Sequence, residues 1–197
     1  NDLTGTDVAN VAVSFVKLPS GIEKINYLNG AMPLPYWIDA LLPDETAGLF
    51  FKTILGSDKT FLYAFPASLP SYYTSAEDAA GFSEFNATQI SQTEAALNYI
   101  ASLLDLKFVK TTTPATLNTL SFANNQQGSS AGYAFQPNES FRGSDLFFDI
   151  GASNAKFADG TYAALTLIHE IGHAIGLKHP FSAQQAGGGV AVPPFLP

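Results

Sequence analysis

A chain of 197 residues that is 46% hydrophobic and 13% charged has a globular composition and is long enough to bury a sizeable core. Nine basic against seventeen acidic side chains give a formal charge of -8, which disfavours nucleic acid and anionic membrane surfaces as partners. The absence of cysteine removes disulfides, thiolate metal sites and thiol nucleophiles; no apolar run approaches the roughly 20 residues of a membrane helix, and the start lacks the basic and apolar regions of a signal peptide.

In chain order, VAVSFVKL reads as a strand or an entry segment, and PYWIDALL as a short helix after Pro35. KTFLYAFP, residues 59–66, alternates and is rich in aromatic residues, the pattern of a strand closed by a proline. The polar, turn-rich SLPSYYTSAEDAAGFSEFN reads as a loop. Over 88–105 the period changes: Leu97, Ile100, Ala101 and Leu104 fall at i, i+3, i+4 and i+7, which predicts an amphipathic helix with Ser91 and Glu94 as its capping box. Short apolar runs at 106–111, 119–125 and 131–137 follow, separated by Pro114 and QQGSS, and DLFFDI at 145–150 makes a further strand. Thr161 is the predicted N-cap of a second helix running to about Gly176, with Leu165, Ile168, Gly172 and Ile175 as its packed face. Gly176 and Pro180 bracket its end. Residues 182–197, SAQQAGGGVAVPPFLP, predict a flexible Gly- and Pro-rich tail.

All three histidines fall within HEIGHAIGLKHP, residues 169–180. On a helix, His169 and His173 project from one face at a separation that one small cation can bridge. Glu170 lies about 100° round the helix from His169 and about 60° from His173, close enough to reach a water on the metal without ligating it. Gly176 lets the backbone turn sharply, so that His179 returns as a third ligand. Three neutral imidazoles with one open position suit a catalytic zinc, which brings its water to a pKa of roughly 7 and polarises a carbonyl. Glu170 is then the general base that takes the water's proton and passes it to the leaving amine. The pattern HExxHxxGxxH fixes five positions, and at a crude one in twenty each its chance occurrence over this length is roughly 6 in 100,000.

Two other readings compete. GSSAG, with Gly128, Ser130 and Gly132, matches the nucleophile elbow of serine hydrolases, but that elbow leads from a strand into a helix and YAFQP follows here. A non-catalytic zinc-binding fragment or pseudoenzyme is the alternative for the histidine cluster. It would not need Glu170, and structural zinc usually has a closed four-ligand shell.

The motif H-E-I-G-H-A-I-G-L-K-H resembles the zinc signature of metzincin endopeptidases, and Pro180 after the third histidine is similar to the serralysin family of secreted bacterial proteases. WIDALL, FLYAF, TEAALNYIASL, LSFAN, AGYAFQP, SDLFFD and GTYAALTLIHEIGH resemble serralysin catalytic-domain segments in order, over roughly 36–181. The resemblance implies an α+β fold: a twisted, mostly parallel sheet with one antiparallel edge strand, packed on two long helices. It puts AGYAFQP at that edge, where an extended substrate would pair with the backbone of Gly132, Tyr133 and Ala134.

The resemblance further implies one catalytic Zn2+ on His169, His173 and His179, and protein or peptide substrates. A separate C-terminal fragment or a proteinaceous inhibitor is an expected partner, and the expected location is extracellular. Metzincins carry a methionine turn beyond the third histidine, and serralysins a metal-proximal tyrosine two residues after it. Here the only methionine is Met32, and no tyrosine follows Tyr162. We therefore expect a zinc protease domain over 1–181 and a tail, 182–197, that stops before that turn, with calcium confined to a β-roll the chain lacks and the activity of this chain alone in question.

Overall fold

The computed structural model describes Leu41 and residues 58–180, apart from residues 75 and 118. The elements expected in VAVSFVKL and PYWIDALL, other than Leu41, and the tail 182–197 lie outside the described residues. The chain divides into two packing units, Leu49–Leu177 and a second made of Asn1–Gly48 with Lys178–Pro197. In the second, the Lys178 N–H donates to the Leu41 carbonyl at 2.8 Å. The sheet and its helices belong to the first.

Among the described residues, β1 (Thr60–Ala64), β2 (Lys107–Lys110), β3 (Thr119–Asn125), β4 (Gly132–Ala134) and β5 (Leu146–Asp149) form one sheet in the order β2-β1-β3-β5-β4. The pairings β1 with β2, β1 with β3 and β3 with β5 are parallel, and β4 joins β5 antiparallel. The mostly parallel sheet with one antiparallel edge strand is therefore present. Its two principal helices are α2 (Ala87–Leu103) and α3 (Tyr162–Ala174). The segment read as a loop before α2 holds a one-turn helix, α1 (Ala76–Ala79), and Ser83 bridges to Asn124 of β3.

Strand alternation divides the core between the two faces of the sheet. Leu120, Phe122, Leu146 and Phe148 pack with Phe61, Phe85 and Phe157 and with Leu97 of α2 and Ala163, Leu167, Ile171 and Ala174 of α3. The other face carries Ala123 and Phe147 under Tyr73, with Leu69, Tyr72, Phe82, Tyr133 and Phe135 around them. All seven residues of β3 are buried, as expected of a central parallel strand covered on both sides.

Two sequence expectations are corrected. The capping box of α2 is Asn86 with Gln89, one turn before Ser91 and Glu94. Both pairs fit the pattern, but the Asn86 Oδ1 accepts from the N–H groups of Thr88 and Gln89, each at 2.9 Å. Glu94 instead pairs with Lys110 at 2.9 Å. The buried face of α2 runs through Gln89, Thr93 and Leu97, and Leu104 is the exposed C-cap. On α3 the stripe that meets the sheet is Ala163, Leu167, Ile171 and Ala174, not Leu165 and Ile168, which are 61% and 47% exposed. Small alanines bring the helix close to the strands. The bulkier apolar residues one position away follow an equally good helical period.

The second layer contains a buried acid. Asp145 is 0% exposed, and its Oδ2 accepts from Tyr72 Oη at 2.9 Å and Tyr73 Oη at 2.6 Å. Nearby, Arg142 bonds Asp78 at 2.7 Å with its guanidinium over the Phe135 ring at 4.4 Å. Burial pushes the Asp145 carboxyl up to about 8, against the opposing pull of the two hydroxyls and Arg142. A carboxyl whose folded pKa exceeds its unfolded value of about 3.9 binds its proton more tightly when folded. Its contribution is full below about pH 4 and is lost as pH climbs through about 8. Asp145→Asn retains an acceptor but cannot ionise, so the difference in Tm between variant and parent should move in the variant's favour from pH 4 to 8. A difference independent of pH across that window would contradict the assignment.

Candidate metal centre

Helix α3 opens with the Thr161 Oγ1 accepting from the Ala164 N–H at 3.3 Å, so the expected N-cap is present. With the 163/167/171/174 stripe turned to the sheet, His169 lies on the exposed side, His173 at the boundary, and Glu170 is 7% exposed. The Nε2 atoms of His169 and His173 stand 3.1 Å apart, with the rings edge to face at 86°. Two nitrogens at about 2.0–2.1 Å from a tetrahedral zinc lie about 3.3 Å apart, so this pair needs little adjustment to share one ion.

The helix ends in a Schellman arrangement. The Gly176 N–H donates to the His173 carbonyl at 2.9 Å and the Leu177 N–H to the Gly172 carbonyl at 2.8 Å. Gly176 sits at φ 105°, a conformation costly for any residue with a Cβ. The reversal brings the Leu177 carbonyl to 2.7 Å from Nδ1 of His173. With a proton on Nδ1, that bond directs the Nε2 lone pair of His173 toward His169. The ligand atoms of His169, His173 and His179 all lie within 4.8 Å of one another. Neutral nitrogen donors, three in number and on one short stretch of chain, match the donor set of catalytic zinc.

Glu170 points to the sheet's antiparallel edge. A Cβ placed on Gly132 would stand 3.2 Å from Glu170 Cγ, so strand and acid are in immediate contact. Burial raises the Glu170 pKa, and the neighbouring His173 opposes the shift when it carries charge. Along β4 the Asp149 N–H bonds the Ala131 carbonyl at 3.0 Å and the Phe135 N–H bonds the Asp145 carbonyl at 2.9 Å. By antiparallel alternation, Tyr133 exchanges its bonds with its partner Phe147, and the peptide groups of Gly132 and Ala134 face away from β5. The Tyr133 side chain is in the aromatic layer, with its hydroxyl donating to Asp78 Oδ1 at 2.9 Å and its ring stacked on Phe147 at 5.4 Å.

The elbow reading of GSSAG fails on geometry. Ser130 sits in the turn before β4, not between a strand and a helix, and its hydroxyl bonds Gln127 Oε1 at 2.5 Å. The Leu177 carbonyl was not anticipated. It is a backbone atom, and its only trace in the sequence is Gly176 one residue earlier.

A parallel sheet closed by an antiparallel strand beside an HExxH helix defines a metallopeptidase-like domain. Residues 73–186 match the Peptidase_M10 family, described as matrixin, and the chain belongs to that family as a metzincin, serralysin-like catalytic domain. It is similar to Serralysin A of Dickeya chrysanthemi, 30% identical over 136 residues, which cover 66% of this chain and 28% of that relative. Serralysin G of the same organism is 32% identical over 136 residues, with the same shares of 66% and 28%. Serralysin C is 32% identical over 108 residues, 51% of this chain and 22% of the relative. The chain thus spans less than a third of the length of these curated relatives.

Proposed function

We propose that this domain is a zinc-dependent endopeptidase that hydrolyses peptide bonds of extended protein substrates. The observation that carries the reading is the convergence of the ligand atoms of His169 and His173 of α3, and of His179 beyond its end, within 4.8 Å, with Glu170 of the same helix abutting the edge strand. His169, His173 and His179 would hold a zinc ion, which would acidify a water and polarise the scissile carbonyl. Glu170 would take the proton from that water and deliver it to the leaving amine; its burial, at 7% exposure, raises its pKa, which makes it the better proton acceptor. The outward peptide groups of Gly132 and Ala134 bind substrate main chain by strand addition, which leaves side-chain selection loose. Tyr133 serves through its backbone position alone, because its ring is committed to the layer beneath.

The relatives named serralysin support this substrate class, and secretion belongs to the same reading. Among the described residues no helix is long and apolar enough to cross a membrane. Casein cleavage is expected in the zinc-loaded protein, to be lost on chelation and to return when zinc is added back. Zinc uptake at one ion per chain without cleavage would favour the non-catalytic zinc-binding alternative.

A further inference from the structure

We propose that Gly132 is a positioning residue for Glu170: the bare α-carbon of the edge strand is the surface against which the acid's side chain is seated. This inference rests on the reading of Glu170 as general base, although the contact itself is independent of it. The φ of Gly132 is not in the left-handed region, unlike those of Gly81, Gly160 and Gly176. Its backbone therefore suits any residue, and what requires glycine is room.

A Cβ at position 132 would stand 3.1 Å from Phe148 Cδ1, 3.2 Å from Thr166 Cγ2 and 3.2 Å from Glu170 Cγ. Each is closer than ordinary van der Waals contact, so the surrounding side chains must give by a few tenths of an ångström, and the most compliant gives most. Phe148 cannot readily do so. It is 0% exposed and packed against Phe85 and Phe157, with ring centroids at 5.8 Å and 5.0 Å. Thr166 is held as well: its hydroxyl donates to the Tyr162 carbonyl at 3.0 Å, which sets the rotamer that aims Cγ2 at the strand. Glu170, whose Cγ can swing about the first side-chain torsion, is the neighbour that yields most. A methyl group at 132 thus acts on the reaction by shifting the Glu170 side chain a few tenths of an ångström, a fraction of the roughly 1 Å misplacement that can cost about 100-fold in rate.

The test has two parts. In zinc-loaded protein, Gly132→Ala should lower kcat by about 3- to 10-fold with KM changed less than about twofold. A raised KM at unchanged kcat would overturn the proposal and leave Gly132 as a substrate contact only. In metal-free protein, thermal unfolding of Gly132→Ala, Glu170→Ala and the double variant forms a cycle that needs no activity. Because Glu170→Ala deletes Cγ, the loss in Tm caused by Gly132→Ala should shrink in that background, the remainder coming from the contacts with Phe148 and Thr166. Equal losses in both backgrounds would overturn it. If the single Gly132→Ala variant does not fold, folding of the double variant supports the contact, and its failure to fold contradicts it. A protein that shows the coupling without any peptidase activity would refute the general-base reading while leaving the Gly132–Glu170 contact standing.

Discussion

Glu170→Gln is expected to retain one zinc per chain and to lower kcat on casein by about 1,000-fold, within the range of general acid–base contributions. The substitution keeps the shape of the side chain, so its seat against Gly132 survives, and it replaces none of the three imidazoles. It removes only the capacity to take a proton. Stability should change little: a group 7% exposed whose burial raises its pKa loses nothing when replaced by a neutral amide that cannot ionise. The parallel readouts are zinc content by mass spectrometry and initial rates over a substrate series, which separate kcat from KM. Loss of zinc in the variant, or activity within a few-fold of the parent, would contradict the assignment.

Gly176→Ala should weaken zinc binding by about 10- to 100-fold, the usual range for groups that orient ligands. At φ 105° an alanine is strained by about 1–3 kcal/mol, and the chain relieves the strain by abandoning the turn. Three connections then fail together: the Leu177 N–H to Gly172, the Leu177 carbonyl to His173 Nδ1 at 2.7 Å, and the path that returns His179 to the other two rings. Competition against a chromophoric chelator measures the affinity. Gly176→Asn, better tolerated at positive φ, should fall between alanine and the parent. Unfolding of α3 need not accompany the effect, because the stripe from Ala163 to Ala174 lies before the turn. Affinity unchanged in Gly176→Ala would show that the turn does not place the ligands.

Much of the site was legible because helical geometry alone relates His169, Glu170 and His173, and because Gly176 marks where the chain must reverse. The strands were legible from short apolar runs bounded by proline and polar turns; β3 and β5 lie within the stretches read for them. What escaped depends on contacts far apart in sequence. The choice between the Leu165/Ile168 and Ala163/Leu167 stripes is settled by how closely the sheet approaches, which favours alanine. The Tyr133 ring is claimed by Asp78, 55 residues away. The need for glycine at 132 comes from Phe148, Thr166 and Glu170, on two other elements. Two capping boxes fitted the start of α2, and only the fold selects Asn86 with Gln89.

The most direct test is X-ray absorption at the zinc edge on the zinc-loaded protein and on His179→Ala. The parent should give three imidazole nitrogens and one further light donor at about 2.0–2.1 Å, and the variant should lose one imidazole from that shell. A parent shell with fewer than three imidazoles, or a shell unaltered in His179→Ala, would contradict the three-histidine centre.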